Sequence, residues 1–532
     1  MLNLVLSLLL AGIPVLPRPH EDVEVGKIDP VDPTQCVTIC NAPAGNGWRS
    51  VIMSGQAHDN LLFLGPDTLV FVGSDYSGDA TEYFEGASVW YSFDNGATWE
   101  KYNIAPTFHR TNYPDAHFDR TTNTPWFVFT IRTGNNCKVY ATKDEGYAMG
   151  APGLLTTYTV TDGIGTFGEW IPSIVAKGDT VVVGYMKFDL SIGACKTSFD
   201  GGATWSTEVV IDEGQTIDNP NLVLVEPNTL VFYSFDYDIV DTVIFWKSTD
   251  WGASWTGPFK LESSAYVNYG FASWWYSYVG AAYQGKAHVL AVMGPAGIEN
   301  GALYDYVFDP ADNSITEEFV LGDIVPVIDT TTGDTTGWDI GIPQARTPSV
   351  AVTQDGSKLV AMFMNYEETG TYSDLYFMVY DGSSWSEYAP IFAVQDTFDE
   401  GRGDFCPVVY DDGDYLNLYF VCSSGSNNYA NVYFASSQVV IPSVDETRPS
   451  FAFSVRPTIV TGNMNVEFAL PKASNVDISV YNVSGQKVKT LYSGSLNAGS
   501  HRMSFDSSFG KGIYFVTVTV DGKSTARKIV VK

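Results

Sequence analysis

The chain has 532 residues and a formal net charge of −32, with 61 Asp and Glu against 29 Lys and Arg. This charge excludes nucleic acid as an expected partner, because a phosphate backbone needs a basic surface. Aromatic residues make up 14% of the chain, charged residues make up 17%, and there are 49 glycines. Such a composition is typical of an all-β protein with many short strands and turns.

The first residues predict export. Leu4–Leu10 is a short apolar run, followed by Ala11-Gly12-Ile13-Pro14. We therefore expect residues 1–17 to be a signal peptide, since the run is too short to cross a bilayer. No later run is long and apolar enough for a transmembrane segment. Residues 18–47 are expected to be a linker, or an outer strand that closes the domain that follows.

An octapeptide pattern, S-x-D-x-G-x-[ST]-W, occurs at Ser92–Trp99, Ser198–Trp205 and Ser248–Trp255, with a shorter echo at Tyr380–Trp385. Asp followed two residues later by Gly is typical of a turn, because the carboxylate accepts nearby N–H groups and Gly tolerates positive φ. Apolar, β-prone residues precede the pattern, so each copy predicts the tip of a β-hairpin. We call these segments the Ser-x-Asp turns. Their defining residues are Asp94, Gly96, Trp99, Asp200, Gly202, Trp205, Asp250, Gly252 and Trp255.

The turns are spaced at multiples of roughly 50 residues, which predicts a repeat architecture. A degraded copy stands at Thr142–Met149, and another hairpin turn is expected at Asp309–Asn313. Five units contain a proline that we expect to be the first residue of a strand. These prolines are Pro114, Pro172, Pro220, Pro348 and Pro407. With the units Leu61–Val72 and Tyr276–Val292, the count over residues 48–443 favours seven repeats, with six as the alternative.

The pattern resembles the Asp-box, or bacterial neuraminidase repeat, of sialidase-like β-propellers. The resemblance implies a propeller in which each box lies on the hairpin between the two outer strands of a blade, away from the active site. We therefore predict an all-β fold: a β-propeller followed by a small Ig-like β-sandwich.

The sandwich is predicted over residues 450–532, where alternating apolar runs are separated by turns every 8–12 residues. Val466–Pro471, Val476–Val488 and Gly512–Val516 are three of these runs. Their order resembles the C-terminal sorting domain of type IX secretion cargo. This resemblance implies the type IX machinery as a partner and a bacterial protein that is secreted or held at the outer surface. A plain Ig-like adhesion module is the alternative.

A ligand site is expected where the innermost strands begin, at the mouth of the propeller channel. The residues there are Asn112, Tyr113, Glu169, Trp170, Asp218, Asn219, Arg346 and Asp404, with His58, Asp59, Trp274 and Trp275 in the units without proline. Carboxylates and aromatic rings are the composition of a sugar site, since rings stack on sugar faces and carboxylates bind hydroxyls. The alternative is that single members only pack the channel or cap strands.

Glycoside hydrolysis needs two carboxylates in different protonation states. The candidates are Glu169, Asp218, Asp404 and Asp59; the candidate ligand-binding residues are Arg346, Arg402, Tyr113, Trp170, Trp274 and Trp275. The sialidase resemblance implies three Arg that hold the substrate carboxylate, the first in an R-I-P motif. Here Trp170-Ile171-Pro172 has Trp in place of that Arg, whereas Arg346-Thr347-Pro348 resembles the motif in a later unit. Other Arg that could converge are Arg402, Arg132, Arg110 and Arg49.

Two functions therefore stand open. The first is a secreted or cell-surface propeller that acts on or binds a glycan or glycoconjugate; whether it is an enzyme stays undecided, and an enzyme would be an exo-α-sialidase-like glycoside hydrolase. The alternative is a non-catalytic surface propeller used as a scaffold for protein interaction or adhesion. The scaffold predicts a plugged channel and an exposed apolar patch elsewhere.

Cysteines and acidic loops give weaker predictions. Cys406 and Cys422 flank a turn between two strand-like runs and are either a disulfide across a hairpin or two thiols. No paired Cys or His spacing predicts a zinc site. Five aspartates could offer oxygen to Ca²⁺ but lack the calcium-loop pattern, so no cofactor is predicted and Ca²⁺ is the alternative. They are Asp75, Asp79, Asp236, Asp238 and Asp241.

Overall fold

The structure is a computed structural model, and it describes part of the chain. The described residues are 37–40, 61–65, 67–75, 86–104, 111–133, 136–163, 168–236, 242–263, 278–293, 301–322, 324–328, 335–340, 346–366, 373–391, 400–409, 415–424, 431–440, 453–456, 459–460, 462–470, 473–482, 486–497, 499–520 and 523–532. The chain divides into two compact units: residues 1–383 with 388–442, and residues 443–532 with 384–387.

The first unit contains seven four-stranded antiparallel sheets in its described residues. Strand β1 (Val37–Cys40) belongs to sheet 7. Sheet 1 contains β2 (Leu61–Gly65), β3 (Thr68–Asp75), β4 (Gly86–Ser92) and β5 (Glu100–Asn103). Sheet 2 contains β6 (Thr111–Asp119), β7 (Thr124–Thr133), β8 (Asn136–Asp144) and β9 (Leu155–Thr159). Sheet 3 contains β10 (Glu169–Lys177), β11 (Thr180–Lys187), β12 (Ile192–Ser198) and β13 (Val209–Val210).

The remaining sheets of this unit follow the same plan. Sheet 4 contains β14 (Ile217–Val225), β15 (Thr229–Asp236), β16 (Thr242–Ser248) and β17 (Thr256–Glu262). Sheet 5 contains β18 (Tyr278–Tyr283), β19 (Lys286–Met293), β20 (Ala302–Asp309) and β21 (Ser314–Leu321). A separate hairpin pairs β22 (Ile324–Ile328) with β23 (Thr335–Ile340). Sheet 6 contains β24 (Arg346–Val352), β25 (Leu359–Tyr366), β26 (Ser373–Tyr380) and β27 (Ala389–Pro390); sheet 7 contains β28 (Glu400–Val409), β29 (Tyr415–Ser424) and β30 (Asn431–Val440). Among the described residues, two short 3₁₀ helices span Tyr147–Met149 and Phe188–Leu190.

The hydrophobic pattern explains the order of strands within a sheet. The second strand of a sheet is buried on both faces and is an almost continuous apolar run, as in β11 and β15. The fourth strand is at the surface and carries mostly exposed residues, as in β5 and β17. Buried apolar side chains of adjacent sheets form shared cores.

The first strands of the sheets, which we call the inner strands, form a closed series. They are β2, β6, β10, β14, β18, β24 and β28. Each contacts the inner strand of the next sheet, and β28 contacts β2. In sheet 7, β1 pairs with β30, so a segment from the start of the chain supplies the fourth strand of the last sheet. This is the arrangement expected if the N-terminal segment closes the domain.

The predicted fold class, an all-β propeller followed by a small β-sandwich, is confirmed. The number of blades stays a prediction of seven, and the described residues supply seven four-stranded sheets.

The prolines lie inside the inner strands, so the prediction that they begin the strands is wrong. In β6, β10, β14 and β24 the strand starts two or three residues earlier. The register with the second strand shifts across the proline in each case: between Asn112 and Asp115, Trp170 and Ser173, Asp218 and Asn221, and Arg346 and Ser349. Proline has no N–H to give to the ladder, so a β-bulge accommodates it.

In sheet 7 the equivalent bulge falls at Gly401-Arg402, between Glu400 and Gly403. Pro407 is outside the bulge and pairs with Leu418 in the regular ladder. The bulge is therefore a property of every inner strand in which the sequence analysis noted a proline, but in β28 a glycine and an arginine occupy it.

The Ser-x-Asp turns share one network of hydrogen bonds. In the second copy, Ser198 Oγ donates to Asp200 Oδ1 at 2.8 Å and accepts from Gly202 N at 2.8 Å. Thr204 donates to the two carboxylate oxygens through N (2.8 Å) and Oγ1 (2.6 Å). Hydrogen bonds from Thr204, and then from Ser198, lower the pKa of Asp200 to about 2. The first and third copies have the same bonds.

Each Ser-x-Asp turn packs against the preceding sheet. A Cβ on Gly96 would lie 1.8 Å from Phe434 of sheet 7, and one on Gly202 would lie 2.9 Å from Tyr158 of sheet 2. In the third copy, Thr197 Oγ1 of sheet 3 donates to Trp251 O at 2.7 Å. Since these glycines also have φ near +90°, the motif needs Gly for both its conformation and its close contact.

The degraded copy at residues 142–149 keeps this role by other means. The buried Asp144 carboxylate accepts from Gly146 N at 2.9 Å, from Gly153 N at 2.7 Å and from Tyr91 OH of sheet 1 at 2.8 Å. Met149, which replaces the Trp, is 68% exposed. The turns are therefore inter-sheet contacts, with or without the complete motif.

The second unit is a two-sheet sandwich. One sheet contains β31 (Phe453–Arg456), β33 (Asn463–Leu470) and β36 (Gly499–Asp506). The other contains β32 (Ile459–Val460), β38 (Lys523–Val531), β37 (Gly512–Val520), β34 (Ser474–Asn482) and β35 (Lys487–Leu496). Alternate residues of both sheets, among them Val466, Ile478 and Val518, fill one apolar core.

The candidate disulfide has an unfavourable register. Cys406 pairs with Tyr419, whereas Cys422 pairs with Gly403. The two cysteines are thus three positions apart along the ladder, and a bridge needs Cα atoms within about 7 Å. The disulfide stays a prediction that this register does not favour.

Candidate functional site

Residues of different chemical character occupy one backbone position at the start of the inner strands. This position immediately precedes the bulge, and we call its five residues the mouth ring. Its members are Asn112, Trp170, Asp218, Arg346 and Glu400 in sheets 2, 3, 4, 6 and 7. β-Bulges are frequent next to active sites, where they redirect a side chain. A repeated bulge with a different residue in each sheet is suited to building an asymmetric ligand site.

Hydrogen bonds between sheets align these positions. The first residue after the bulge is Asp115, Ser173 or Asn221 in sheets 2, 3 and 4, and all three are buried. Asp115 Oδ2 accepts from Ile174 N at 2.9 Å, and Ser173 Oγ donates to Asn221 Oδ1 at 2.6 Å. The three bulges therefore lie at one level, so Asn112, Trp170 and Asp218 begin their strands at the same end of the channel.

Three alternate side chains of β6 form hydrogen bonds with backbone groups at the neighbouring edge of β10. Asp115 accepts from Ile174 N, His117 Nε2 lies 3.0 Å from Ala176 O, and Asp119 Oδ2 accepts from Gly178 N at 2.9 Å. Inner strands expose unpaired backbone groups towards the channel, and these side chains pair them. They are consequently structural groups below the mouth ring.

The tautomer of His117 follows from this contact. A carbonyl oxygen only accepts, so Nε2 carries the proton that is donated to Ala176 O. Burial lowers the pKa of His117, which keeps the ring neutral at pH 7. We assign it no catalytic task.

The inner strands enclose a cavity below the bulges. A cavity of about 390 Å³ is lined by the inner strands of sheets 1 to 6. Its walls are apolar at Ile174, Leu222 and Val350, and charged groups lie towards the turns that follow the inner strands, including Arg120 and Lys177.

The structure distributes the predicted site residues as follows. Trp170, Asp218 and Arg346 are members of the mouth ring, and Asn112 joins them. Glu169 immediately precedes Trp170, and Tyr113 and Arg402 lie within bulges. Asp404 lies deeper in β28, where it pairs with Val421. Asp59, His58, Trp274 and Trp275 lie outside the described residues, as do Arg49 and Arg110.

Glu400 is the mouth-ring residue that the sequence analysis missed. In β28 the proline, Pro407, is not in the bulge. The residue at the expected distance before this proline is therefore Asp404 and not Glu400. The alternation of Phe405, Pro407 and Val409 gave no sign of an earlier strand start. Arg132, in contrast, is near the end of β7 beside the mouth ring, since Thr130 pairs with Asn112.

The hairpin β22–β23 lies in the connection that leads directly into Arg346. The connection from β21 to β24 reaches sheet 6 at the mouth-ring end, since Arg346 is the first residue of β24. Within the described residues, this hairpin is the secondary structure of the connection between sheets 5 and 6.

The described residues contain no group of three or more His, Cys, Asp or Glu side chains that could hold a metal ion. Of the aspartates considered for Ca²⁺, Asp236 accepts a hydrogen bond from Lys260 Nζ at 3.4 Å and Asp75 ends β3. Asp79, Asp238 and Asp241 lie outside the described residues.

Comparison with protein families identifies the C-terminal part. Residues 455–532 match the family described as the secretion system C-terminal sorting domain. The predicted type IX sorting domain is thereby confirmed, and the chain is a secreted or outer-surface bacterial protein whose partner is the secretion machinery. No helix within the described ranges has the length and apolar character to cross a membrane.

Comparison with proteins of curated function gives no match. Among solved structures, the chain is similar to the Hadza microbial sialidase Hz136, with 12% identity over 73% of this chain and 66% of that one and a TM-score of 0.37. It is similar to the polysaccharide lyase Uly1, with 8% identity over 76% and 92% and a TM-score of 0.43. A neuraminidase-like protein of subtype N11 from A/flat-faced bat/Peru/033/2010 matches with 14% identity over 63% and 90% and a TM-score of 0.35.

Proposed function

We propose that the mouth ring binds a carbohydrate and that this exported propeller acts on or captures glycans outside the cell. The observation that supports this most is the repeated bulge, beside which Asn, Trp, Asp, Arg and Glu occupy the same backbone position in five sheets. Sugars need this mixture, because an aromatic plate stacks on the apolar face of the ring while amides, carboxylates and guanidinium groups bind its hydroxyls.

Arg346 gives the proposed site a group for an acidic sugar. A guanidinium fork matches a carboxylate in two parallel hydrogen bonds, and Lys cannot replace this geometry. It is a member of the ring in a chain whose net charge is −32. An anionic substrate is repelled by a protein with this net negative charge, so it requires a local positive charge at its binding site.

The carboxylates provide the chemistry for hydrolysis. Asp218 and Glu400 hold the same ring position in different sheets, and Glu169 precedes another ring member. One carboxyl group, protonated, would donate to the leaving oxygen while the second acts as base or nucleophile. We propose Asp218 and Glu400 as this pair, with Glu169 as the replacement for either. Asp404 and Asp59 remain further candidates.

The experiment is a release assay on the full chain with a panel of sialylated and neutral glycans, read by mass spectrometry. The variants are Arg346→Ala, Asp218→Asn and Glu400→Gln, and Asp200→Asn in a Ser-x-Asp turn is the control. Release of sialic acid that Arg346→Ala abolishes would assign a sialidase-type activity. Release of a neutral sugar that Asp218→Asn or Glu400→Gln abolishes would assign another glycosidase.

The absence of release still leaves two distinguishable results. Binding of a glycan without release, lost in the ring variants, would make the propeller a carbohydrate-binding protein. Neither release nor binding would contradict the proposal.

Exposed apolar residues favour the scaffold as second candidate. Phe93 is 43% exposed and Phe199 is 61% exposed, at the same position of two Ser-x-Asp turns; Leu154, beside the degraded copy, is 54% exposed. Exposed apolar groups of this kind can mark protein contacts. If the chain binds cells or proteins and Phe93→Ser with Phe199→Ser abolishes this while the ring variants do not, the scaffold is the function.

A further inference from the structure

A pair of carboxyl groups, one buried and one partly buried, lies on neighbouring strands of sheet 5, apart from the mouth ring. Asp305 on β20 pairs directly with Glu318 on β21 in the antiparallel register. Directly paired residues project to the same face of a sheet with Cβ atoms about 5 Å apart. Asp305 is fully buried, whereas Glu318 is partly buried. Two like charges in this arrangement would be costly.

Within the described part of the chain, one oxygen of Asp305 has a hydrogen-bond partner and the other has none. Its Oδ2 is 2.8 Å from Nδ1 of the buried His288, on β19. Its Oδ1 is buried and has no hydrogen-bond partner among the described residues. Leaving a buried acceptor of this kind unpaired destabilises the folded state. A protonated Glu318 is the donor that stands directly opposite.

The surroundings favour the protonated form. Burial, and secondly the charge of Asp305, raises the pKa of Glu318 to about 8. On its own strand, Glu317 accepts from Ser263 Oγ of the preceding sheet at 2.6 Å. The nearest cation along β19, Lys286, pairs with Asp309 at 3.2 Å. Among the described residues, these contacts place no cation beside Glu318.

The pair lies beneath the contact between sheets 5 and 6. The ring of His288 is 5.5 Å from that of Tyr380, on β26, and 5.7 Å from that of Tyr283, on β18. The phenol of Tyr380 is in the field of both carboxyl groups and of Asp381, which follows it. A change of charge on the pair therefore acts directly on the inter-sheet contact.

We propose that Glu318 is protonated opposite the Asp305 carboxylate, and that this proton is a pH-sensitive lock on the contact between sheets 5 and 6. Proton loss leaves two carboxylates side by side with one unpaired oxygen. The sign follows from linkage: a carboxyl group with a raised pKa in the folded state stabilises that state when protonated, and this contribution is lost as pH rises through the folded value. The lock is thus closed at neutral pH and weakens in alkali.

The test is hydrogen–deuterium exchange of the full chain between pH 6.5 and 9.5, corrected for the intrinsic pH dependence of exchange. Protection of peptides from β20, β21 and β26 should fall about tenfold relative to β10–β12 of sheet 3, with a midpoint near pH 8. Glu318→Gln should remove this step, because an amide donates at every pH. Glu317→Gln, one residue away, should keep it.

Two results would overturn the proposal. One is that the exchange protection of sheets 5 and 6 in the wild-type chain changes with pH by the same amount as that of sheet 3. This result is obtained without any variant. The other is an unchanged step in Glu318→Gln. A ¹³C carboxyl titration of the wild-type chain is the second measurement: a Glu resonance with a midpoint near pH 8 is expected, and its absence contradicts the protonation of Glu318.

Discussion

The Ser-x-Asp turns and the mouth ring are both repeated features of the first unit, but they repeat in opposite ways. In the turns, residue types recur and the carboxylates of Asp94, Asp200 and Asp250 make the same bonds within the motif. In the mouth ring the backbone recurs, as a bulge, and the residue type changes from sheet to sheet.

The two kinds of repetition indicate two roles, one in structure and one in ligand binding. A residue type that recurs in every Ser-x-Asp turn is explained by a contact that every turn makes. Here that contact is with the preceding sheet. A backbone position that recurs with a different residue in each sheet can supply different side chains to one asymmetric ligand. The turns should therefore control stability and the ring should control binding.

The largest expected effect on stability is at a turn glycine. Gly96→Ala should destabilise the first unit by about 3 kcal/mol, because a Cβ would lie 1.8 Å from Phe434 and φ is +89°. Gly150→Ala is the matched control, with φ of +74° and open space, and should cost about 1 kcal/mol. Urea unfolding followed by fluorescence measures both. Equal costs would show that strain alone, not the inter-sheet contact, makes glycine necessary.

A similar loss is expected at the degraded turn. Asp144→Ala removes a buried acceptor from Gly146, Gly153 and Tyr91, and leaving their donors unpaired should cost about 3 kcal/mol. Tyr91→Phe removes only the inter-sheet bond and should cost about 1 kcal/mol. If Asp144→Ala unfolds at the same urea concentration as the wild type, the degraded copy is not an inter-sheet contact.

A smaller, pH-dependent effect is expected below the mouth ring. Burial lowers the pKa of His117, so the unfolded chain binds this proton more readily and stability falls as pH drops through about 6.5. His117→Gln keeps a donor for Ala176 O without a titrating group. Its unfolding free energy should therefore fall less than that of the wild type between pH 7 and pH 5. Parallel losses would rule out His117 as the source.

The fold could be predicted from the sequence because its signals are local. The Asp-x-Gly turns determine their own geometry, and apolar runs determine the strands between them. The bulges were not predicted, since a proline near a strand end is compatible with either a first residue or a bulge. Asp404 and Glu400 illustrate the consequence: one displaced proline moved the predicted site residue by four positions.

The chemistry of the site could be predicted only as a composition. Asp218 and Glu400 come from sheets distant in sequence, and their separation depends on how the inner strands close around the channel. A retaining or inverting pair is defined by that separation, which no local pattern encodes.

The measurement that tests the central claim most directly is glycan-array binding by three forms of the full chain with verified folds. These are the wild type, Asp200→Ala in a Ser-x-Asp turn, and a variant with alanine at Asn112, Trp170, Asp218, Arg346 and Glu400. We predict that the wild type and Asp200→Ala bind the same glycans, and that the ring variant loses at least about tenfold in affinity. Undiminished binding by the ring variant would contradict the assignment of the mouth ring as the ligand site.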